Sequence, residues 1–378
     1  MKITCITGTR ADYPRVKSVL YEIKKHKVFE LSLIVTGSHL LEEYGYSAQE
    51  IIDDGFVIDK KVPMFMGDYN SLVGMAKAAA RCTKGIAEAL EEIKPDLVLL
   101  TVDRVETMAA AVAVSLMNFP IAHIQGGEVT GTIDESIRHA MSKFAHIHFP
   151  ATDDARKRLI RLGENPDDIY VVGCPSIDVL INTPIINRET LENKYGLNFS
   201  KPFIILIQHP VTTESDSSFD QIKNTIDAIT KLKIQTIALL PNNDFGYSKI
   251  IEQIKSSGIK WYPSLPTLDF INLYRNAWAI VGNSSSGIHE SPTFGIPAVN
   301  IGNRQMGRQR AFNVIDTPNN TIEIQKAIQK ALFDMKFRNK VKNIINPYGQ
   351  GSSAKEIVKI LKEVSLEEKI QKVFYENE

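Results

Sequence analysis

The sequence predicts an α/β fold made of two Rossmann-like domains with a ligand cleft between them. Its 378 residues exceed the usual length of one domain. Short β-branched runs alternate with amphipathic helical segments, a pattern typical of βαβ crossovers and parallel sheets. A polar, proline-bounded stretch, TPIINRETLENKYGLNFSKP at 183–202, interrupts the alternation, so we expect a hinge and linker there.

The first predicted domain spans residues 1–175. Its strands are predicted at KITCIT, FELSLIVTG, DLVLL, PIAHI, HIHFPA and IYVVG. Helical patterns follow them, including VKSVLYEIKK and a region from about Ser71 to Ile93. The alternation of strand and helix indicates a parallel sheet whose polar loops follow the strand ends.

The second predicted domain spans residues 185–355, with strands at FIILIQHP, TIALLPNN, IKWYPS, WAIVGNSSSG and PAVNIG. The charged tail, GSSAKEIVKILKEVSLEEKIQKVFYENE, has a strong helical pattern. We expect residues 356–378 to form a helix that packs back on the first domain.

Composition excludes several classes of partner. Lys+Arg and Asp+Glu both number 44, so no global field attracts nucleic acid or acidic lipid. Three widely spaced cysteines without a CxxC pair fit a reducing compartment. The N-terminus enters a strand too soon for a signal peptide, and no apolar run approaches about 18 residues. We expect a cytoplasmic protein without nucleic-acid or membrane partners.

The stretch from Asp103 to His139 carries the candidate acid–base groups. Asp103 follows one strand, and Glu128 and Asp134 follow the next, among glycines that let backbone approach a ligand. Ligands of open α/β sheets bind at the carboxyl ends of the strands, and grouped carboxylates there indicate proton transfer. Helix capping is the alternative, because GTIDESIRH contains a suitable threonine and aspartate.

A second motif, GNSSSG at 282–287, follows a strand and precedes a predicted helix. Backbone N–H groups and hydroxyls at a helix N-terminus suit a phosphate or diphosphate, whereas an ordinary serine cap is the alternative. Glu290, on the predicted helix, could reach ribose hydroxyls. The candidate ligand-binding residues of this motif are Gly282, Ser284, Ser285, Ser286 and Glu290.

His209, in QHPVTTE after a strand, is a candidate cationic donor to a diphosphate, although a structural histidine would fit too. Arg10, in the first loop, suits forked recognition of phosphate, with a surface salt bridge as the alternative. Arg104, Arg308 and Asn242 are further candidate substrate-binding residues.

Neither a cofactor nor a metal is expected. The first turn, GTRADY, places Arg10 where a dinucleotide fold needs a glycine, and the two halves lack a GxGxxG motif. The eight histidines are scattered, and no carboxylate spacing completes a metal site.

Several motifs together resemble the hydrolysing UDP-N-acetylglucosamine 2-epimerases of sialic and legionaminic acid biosynthesis. The resemblance runs in order from Thr7 to about Arg308, and its most specific part is GGEVTGTIDESIRHAMSKFAHIH. The other matching motifs are GTRADY, VTGSHL, a DR pair, GCPSID, QHPVTT, GNSSSGIHES and GNRQMGR.

The resemblance implies a GT-B-like fold, a UDP-sugar substrate and a homodimer or homotetramer. It also implies elimination of UDP to a 2-acetamidoglucal, followed by hydration to an N-acetylmannosamine-type sugar. By matching motif, Asp103 and Asp134 would lie beside the sugar. The nucleotide diphosphate and ribose would be bound by Arg10, His209, Ser284, Ser285 and Glu290.

Two departures from the family pattern concern the sugar. The chain has Thr101-Val102 where the sialic-acid enzymes have His-Gly, and Gln125 where they have Glu. A glutamine orients a hydroxyl or water but accepts no proton, so Asp103, Glu128 or Asp134 would carry the acid–base work. The less polar pocket favours a 4-amino or 6-deoxy relative of N-acetylglucosamine, carried on UDP or GDP. A GT-B glycosyltransferase and a non-catalytic nucleotide-sugar sensor are the alternatives.

Overall fold

The computed structural model of the chain describes residues 1–67, 69, 71–242, 244–366 and 369–376. These residues group into two compact units. Unit 1 comprises Met1–Glu128, Ile133–Val179 and the described residues from Tyr348 onward, and unit 2 comprises Val129–Thr132 and Leu180–Pro347. The chain therefore returns to unit 1 at Tyr348, whereas the predicted second domain extends to residue 355.

Unit 1 contains a six-stranded parallel sheet in the order β3-β2-β1-β4-β5-β6. Its strands are β1 (Lys2–Thr7), β2 (Glu30–Thr36), β3 (Lys60–Val62), β4 (Leu97–Thr101), β5 (Ile121–Ile124) and β6 (Ile147–Phe149). The helices of its first two stretches are α1 (Lys17–Lys24), α2 (Ala48–Asp53), α3 (Leu72–Ile93), α4 (Val105–Leu116), α5 (Asp134–Phe144) and α6 (Asp153–Arg161). A further helix, α7 (Pro175–Asn182), begins in unit 1 and ends in the first residues of unit 2.

Side chains of β4 alternate between the two apolar cores of unit 1, one on each face of the sheet. Leu97 and Leu99 pack in the core on one face, and Val98 and Leu100 pack in the core on the other. Successive residues of a strand point to opposite faces, so a continuous apolar run buries both. This run, DLVLL, carries the loop that contains Asp103 to the edge of the sheet.

Unit 2 contains a second six-stranded parallel sheet, in the order β12-β11-β10-β7-β8-β9. Its strands are β7 (Phe203–Ile207), β8 (Gln235–Leu239), β9 (Lys260–Tyr262), β10 (Ala279–Gly282), β11 (Ala298–Ile301) and β12 (Val314–Thr317). Its helices are α8 (Arg188–Tyr195), α9 (Ser218–Leu232), α10 (Tyr247–Ser256), α11 (Thr267–Asn276), α12 (Ser286–His289), α13 (Thr321–Phe333) and α14 (Met335–Val341). Both sheets have the Rossmann strand order, which confirms the predicted α/β class.

Three local predictions differ from the structure. IYVVG forms no strand, and only Ile169 makes an isolated bridge to β6. The polar stretch at 183–202 is not a structureless linker, because it contains α8, whose Leu191 and Tyr195 are buried in the unit 2 core. The periodicity of that helix is masked in the sequence by its many polar residues.

The tail forms a shorter helix than its composition predicts. This helix, α15, spans Ser353–Glu363 and packs against α1. Its Ile357, Val358 and Leu361 are buried in one core of unit 1. The described residues after Val364 form no helix, although Leu366, Ile370, Val373 and Phe374 recur at helical spacing in the sequence. Among the described residues, no helix is both long and apolar enough to cross a membrane.

Candidate active site

The candidate residues lie at the switch point of each sheet. Strand order reverses between β1 and β4 in unit 1 and between β7 and β10 in unit 2. Ligands of such sheets bind outside the carboxyl ends of the strands at this point. In unit 1 the loop after β1 carries Arg10, and the loop after β4 carries Asp103 and Arg104. In unit 2 the loop after β7 carries His209, and the loop after β10 carries residues 284–286.

Two residues that follow neighbouring strands of unit 1 have strained backbones. Val102, after β4, has φ +57°, and Gln125, after β5, has φ +61°. A positive φ costs a residue other than glycine about 1–3 kcal/mol and persists where surrounding contacts impose it. The Val102 N–H donates to the Ile124 carbonyl at 3.0 Å, and the Gln125 N–H donates to the Phe149 carbonyl at 2.9 Å. Such strain is common at functional sites.

A buried arginine of α5 joins two of the candidate carboxylate residues. The Arg138 guanidinium forms an ion pair with the Asp103 carboxylate and donates to the Glu128 main-chain oxygen at 2.8 Å. Arg138 is 1% exposed and Asp103 is 9% exposed. Removing one partner of an ion pair at such depth costs the protein several kcal/mol of stability, so Arg138 fixes the Asp103 carboxylate in place.

Gln125 lies between a cation and a carboxylate. The Arg15 guanidinium donates to Gln125 Oε1 at 2.6 Å, and Gln125 Nε2 donates to Glu128 Oε1 at 3.3 Å. All three residues are buried. The glutamine therefore transmits the field of Arg15 to the Glu128 carboxylate through one amide group.

His123, on β5, supports the loop after β4 from inside the unit. Its Nε2 donates to the Val102 carbonyl at 2.8 Å. Burial lowers the pKa of His123 to about 4, because its effect exceeds that of this hydrogen bond, which raises the pKa. The imidazole is therefore neutral at pH 7. A Cβ at Gly126 would lie 2.9 Å from His123 Nδ1, so the first glycine of the GGE motif is needed for close packing.

Asp134 and Arg104 occupy helix starts. Asp134 is the first residue of α5, and Ile133, not the predicted threonine or aspartate, is the N-cap residue of α5. Arg104 is the N-cap residue of α4, its Nε 3.8 Å from a carboxylate oxygen of Glu106. Capping by its own carboxylate thus does not account for Asp134, which is half-buried.

The loop that carries Arg10 is held by a buried aspartate. Asp12 accepts hydrogen bonds from the Thr7 hydroxyl and from the N–H groups of Gly8 and Thr9. Burial alone would raise the pKa of Asp12, but His39 and these donors together lower it. Asp12 therefore stays ionised and fixes the turn, while burial lowers the pKa of the Arg10 guanidinium from its very high ordinary value.

In unit 2, Gly282 and Asn283 join the loops after β7 and β10. Gly282 has φ +128°, and a Cβ there would lie 2.1 Å from the Ile207 carbonyl oxygen. The Asn283 side chain accepts from the His209 N–H at 2.7 Å and donates to the His209 carbonyl at 2.8 Å. One asparagine side chain thus pairs with both backbone groups of His209.

The serine loop opens a much shorter helix than predicted. α12 has four residues, and Glu290 is its C-cap residue, not a residue two turns into a helix. The Ser286 hydroxyl and N–H both lie within hydrogen-bond distance of the Ser284 hydroxyl, at 3.2 and 3.3 Å. So short a helix has a small dipole, and any anion at Ser284–Ser286 would depend on hydroxyls and N–H groups. Ser285 is the N-cap residue of α12.

His209 is held by a main-chain donor at one of its ring nitrogens. The Asn242 N–H donates to His209 Nδ1 at 3.3 Å. This contact leaves Nε2 as the ring nitrogen that can donate to an anion. Asn242 positions the imidazole through its main chain.

Arg308, a candidate substrate-binding residue, forms hydrogen bonds within unit 2. Its Nε donates to the Val129 carbonyl at 3.2 Å, and its Nη1 donates to Gln305 Oε1 at 2.8 Å. Gln305 in turn donates to the Asn283 carbonyl at 2.9 Å. The arginine thus connects the 129–132 loop to the serine loop of the same unit.

The structure brings Asp103, Gln125 and Glu128 together in unit 1, and His209, Asn242 and the serine loop together in unit 2. Sequence reasoning selected neither Arg15 nor Asn283, whereas His123 and Arg138 lie in the Asp103–His139 stretch predicted as an active site. Asn283 lies inside the GNSSSG motif and could have been selected from it. Within the described ranges, no three His, Cys, Asp or Glu side chains are grouped so as to hold a metal ion.

Two Rossmann-ordered sheets with polar loops at both switch points define a two-domain α/β enzyme of GT-B-like fold. The chain belongs to the UDP-N-acetylglucosamine 2-epimerase family, whose model matches residues 21–362.

Individual relatives support this assignment. The chain is 37% identical to a Legionella pneumophila protein named UDP-N,N'-diacetylbacillosamine 2-epimerase (hydrolyzing), over 98% of this chain and 97% of that one. It is 33% identical to a Campylobacter jejuni protein named GDP/UDP-N,N'-diacetylbacillosamine 2-epimerase (hydrolyzing), over 85% of each. A crystal structure of UDP-GlcNAc 2-epimerase from Neisseria meningitidis bound to UDP-GlcNAc matches the fold with a TM-score of 0.84 at 21% identity, over 96% of this chain and 100% of that one.

These findings confirm the predicted family and the predicted activity, that of a hydrolysing 2-epimerase. The glycosyltransferase alternative is not favoured, because relatives that cover nearly the whole chain are epimerases.

Proposed function

We propose that the enzyme converts a UDP-linked 2,4-diacetamido-2,4,6-trideoxy hexose into the free C2-inverted sugar and UDP. The observation that carries the choice of sugar is the 37% identity, over nearly the whole chain, to the protein named UDP-N,N'-diacetylbacillosamine 2-epimerase. The buried Thr101-Val102 pair and the amide of Gln125 support a less polar sugar than N-acetylglucosamine.

The first chemical step needs stabilisation of a departing diphosphate. A C2 hydrogen beside an amide nitrogen is not acidic, so the C1–O bond must break first, with its electron pair leaving on UDP. Groups that stabilise this developing charge are the largest expected contribution to the rate. In our proposal Arg10, the Nε2–H of His209 and the hydroxyls of Ser284–Ser286 supply them, and Glu290 binds the ribose.

The second step is proton removal from C2. A carboxylate accepts this proton, and the C1–C2 bond becomes the double bond of a glycal. Water then adds across that bond, with its hydroxyl at C1 and a proton delivered to the opposite face of C2. We assign this acid–base work to Asp103, Glu128 and Asp134, of which Asp103 and Glu128 are joined through Arg138.

The product class would serve synthesis of legionaminic or sialic acids, and we propose a cytoplasmic homodimer or homotetramer. The support is the family resemblance. Light scattering of the purified chain measures the oligomeric state, and a monomer at micromolar concentration would contradict this part.

Proton NMR in deuterated water tests the proposed function. The enzyme is incubated in parallel with UDP-N,N'-diacetylbacillosamine, its GDP analogue and UDP-N-acetylglucosamine. We expect release of UDP and of a free sugar carrying deuterium at C2, fastest with the UDP-linked diacetamido sugar. Release of the free sugar with its C2 hydrogen retained would refute elimination.

Relative rates decide the substrate. Faster turnover of UDP-N-acetylglucosamine would refute the choice of sugar while leaving the reaction intact. Faster turnover of the GDP sugar would refute the choice of nucleotide. No turnover with any of the three would refute the proposed function.

A further inference from the structure

Arg15 is a buried cation on the far side of Gln125 from Glu128. It ends a 3₁₀ turn, Tyr13–Arg15, that precedes α1. Its Nη1 donates to Gln125 Oε1 at 2.6 Å and lies 3.9 Å from Cys174 Sγ, and its Nε donates to the Ala11 carbonyl at 3.3 Å. The side chain is 8% exposed, so the turn and the loop after β5 hold it on both sides.

The chemistry of these groups fixes the orientation of the Gln125 amide. A guanidinium only donates, and an ionised carboxylate only accepts. The amide oxygen must therefore face Arg15 and the amide nitrogen must face Glu128, as observed. The Gln125 main chain is also constrained, with φ +61° and its N–H bonded to Phe149. Arg15 therefore adds a second preference for this amide orientation to the one that the Glu128 carboxylate already imposes.

We propose that Arg15 is a positioning residue that aims the Gln125 N–H at Glu128 and thereby keeps Glu128 an ionised proton acceptor in the reaction. This inference rests on the proposed function. A glutamate at position 125 would instead place two carboxylates about 3 Å apart, and such pairs share a proton. With glutamine there, Glu128 meets a hydrogen-bond donor and needs no proton to be stable.

Other charged and titratable groups face this loop from several elements. Arg138 of α5 donates to the Glu128 carbonyl and pairs with Asp103, which follows β4. Arg158 of α6 donates to the Gly127 carbonyl at 3.2 Å, and His123 of β5, which is neutral, lies beneath Gly126. Each of these helix arginines donates to a main-chain oxygen of the loop, and Gln125 donates to the Glu128 carboxylate.

The first test compares the pH dependence of kcat in the wild type, Arg15→Met and Arg15→Lys. Loss of one hydrogen bond to a charged group should lower kcat about 10- to 100-fold in Arg15→Met, with KM nearly unchanged. The acidic limb of the profile should move up by about one pH unit, since a less stabilised carboxylate binds its proton more readily. Arg15→Lys keeps the cation and should recover part of the loss. Arg161→Met, at an exposed arginine of α6, is the matched control and should behave as wild type.

A double-mutant cycle shows whether Arg15 acts through Gln125. In a Gln125→Leu background the amide is absent, so Arg15→Met should lower kcat little further. Additive losses, with an unshifted acidic limb, would mean that Arg15 only supports the fold and would overturn the inference. Melting curves of all variants identify any that have lost their structure.

A measurement without turnover separates this inference from the proposed function. Carbon-13 NMR of glutamate labelled at its side-chain carboxyl follows the titration of Glu128, assigned by the signal missing in Glu128→Gln. Its midpoint should be higher in Arg15→Met than in wild type. An unmoved midpoint overturns the inference even in an active enzyme. The midpoint could also move in an enzyme that turns over none of the three sugar nucleotides. That result would support the role of Arg15 towards Glu128 and refute the proposed reaction.

Discussion

The buried His123 should make the stability of unit 1 depend on pH in a window where few other groups titrate. Burial lowers the pKa of His123 from 6.5 to about 4. The unfolded chain therefore binds a proton at this residue below pH 6.5, whereas the folded chain binds it only near pH 4. Stability falls as pH falls through this window, because the unfolded state binds more protons. The gap of roughly 2.5 units corresponds to about 3 kcal/mol at about 1.36 kcal/mol per unit.

His123→Gln is the matched perturbation. A glutamine nitrogen can replace Nε2 as the donor to the Val102 carbonyl, but it does not titrate. At pH 7 the variant should be somewhat less stable than wild type. Between pH 7 and pH 4 the difference in free energy of unfolding between the two proteins should change by about 3 kcal/mol in favour of the variant. Other groups that titrate in this range contribute equally to both proteins and cancel in the comparison.

Urea unfolding at pH 7, 6, 5 and 4 measures this difference. Both tryptophans, Trp261 and Trp278, belong to unit 2, so their fluorescence follows that unit. Far-UV circular dichroism follows both units, and a transition absent from the fluorescence is assigned to unit 1. The fluorescence midpoint should be the same in both proteins. A constant stability difference between wild type and variant from pH 7 to pH 4 would show that His123 is not held neutral by burial.

Three substitutions test other parts of the structure. Asp103→Asn should abolish turnover while UDP binding, measured by calorimetry, stays nearly intact; joint loss of both would indicate a structural role. Gly282→Ala should lower the melting temperature and the UDP affinity, because its Cβ would lie 2.1 Å from a carbonyl oxygen. Gly287→Ala is the control and should melt as wild type, because the nearest atom to its Cβ would be 3.5 Å away. Equal melting temperatures of the two variants would contradict this prediction. Glu164→Gln should remove stability that is present above pH 4.5 and lost as pH falls towards 2. Burial alone would raise the pKa of Glu164, but hydrogen bonds from His148, Lys143 and Lys372 hold it at about 2; a variant with the wild-type acid unfolding profile would refute this assignment.

The fold class and the position of the candidate site residues at strand ends could both be predicted from the sequence. Apolar runs such as LVLL and FIILI lie in fully buried strands, and the polar residues that follow these strands lie at the switch points of the two sheets. GNSSSG was recognisable because three serines between two glycines follow a strand and precede a predicted helix. These features depend on local periodicity and on residues whose backbone requirements are strict, and both can be read along the chain.

Only the tertiary structure decided which polar groups meet. Arg15 and Gln125 are 110 residues apart, and Asp103 and Arg138 are 35 apart, yet each pair is buried in contact. The polar composition of residues 183–202 predicted a linker, but the stretch contains α8, whose Leu191 and Tyr195 are buried. A buried charge is tolerated only beside a partner of opposite charge or matching hydrogen-bonding capacity, and that partner is chosen by how the strands and helices pack. The orientation of the His209 ring and of the Gln125 amide follows from such contacts, which no spacing along the chain encodes.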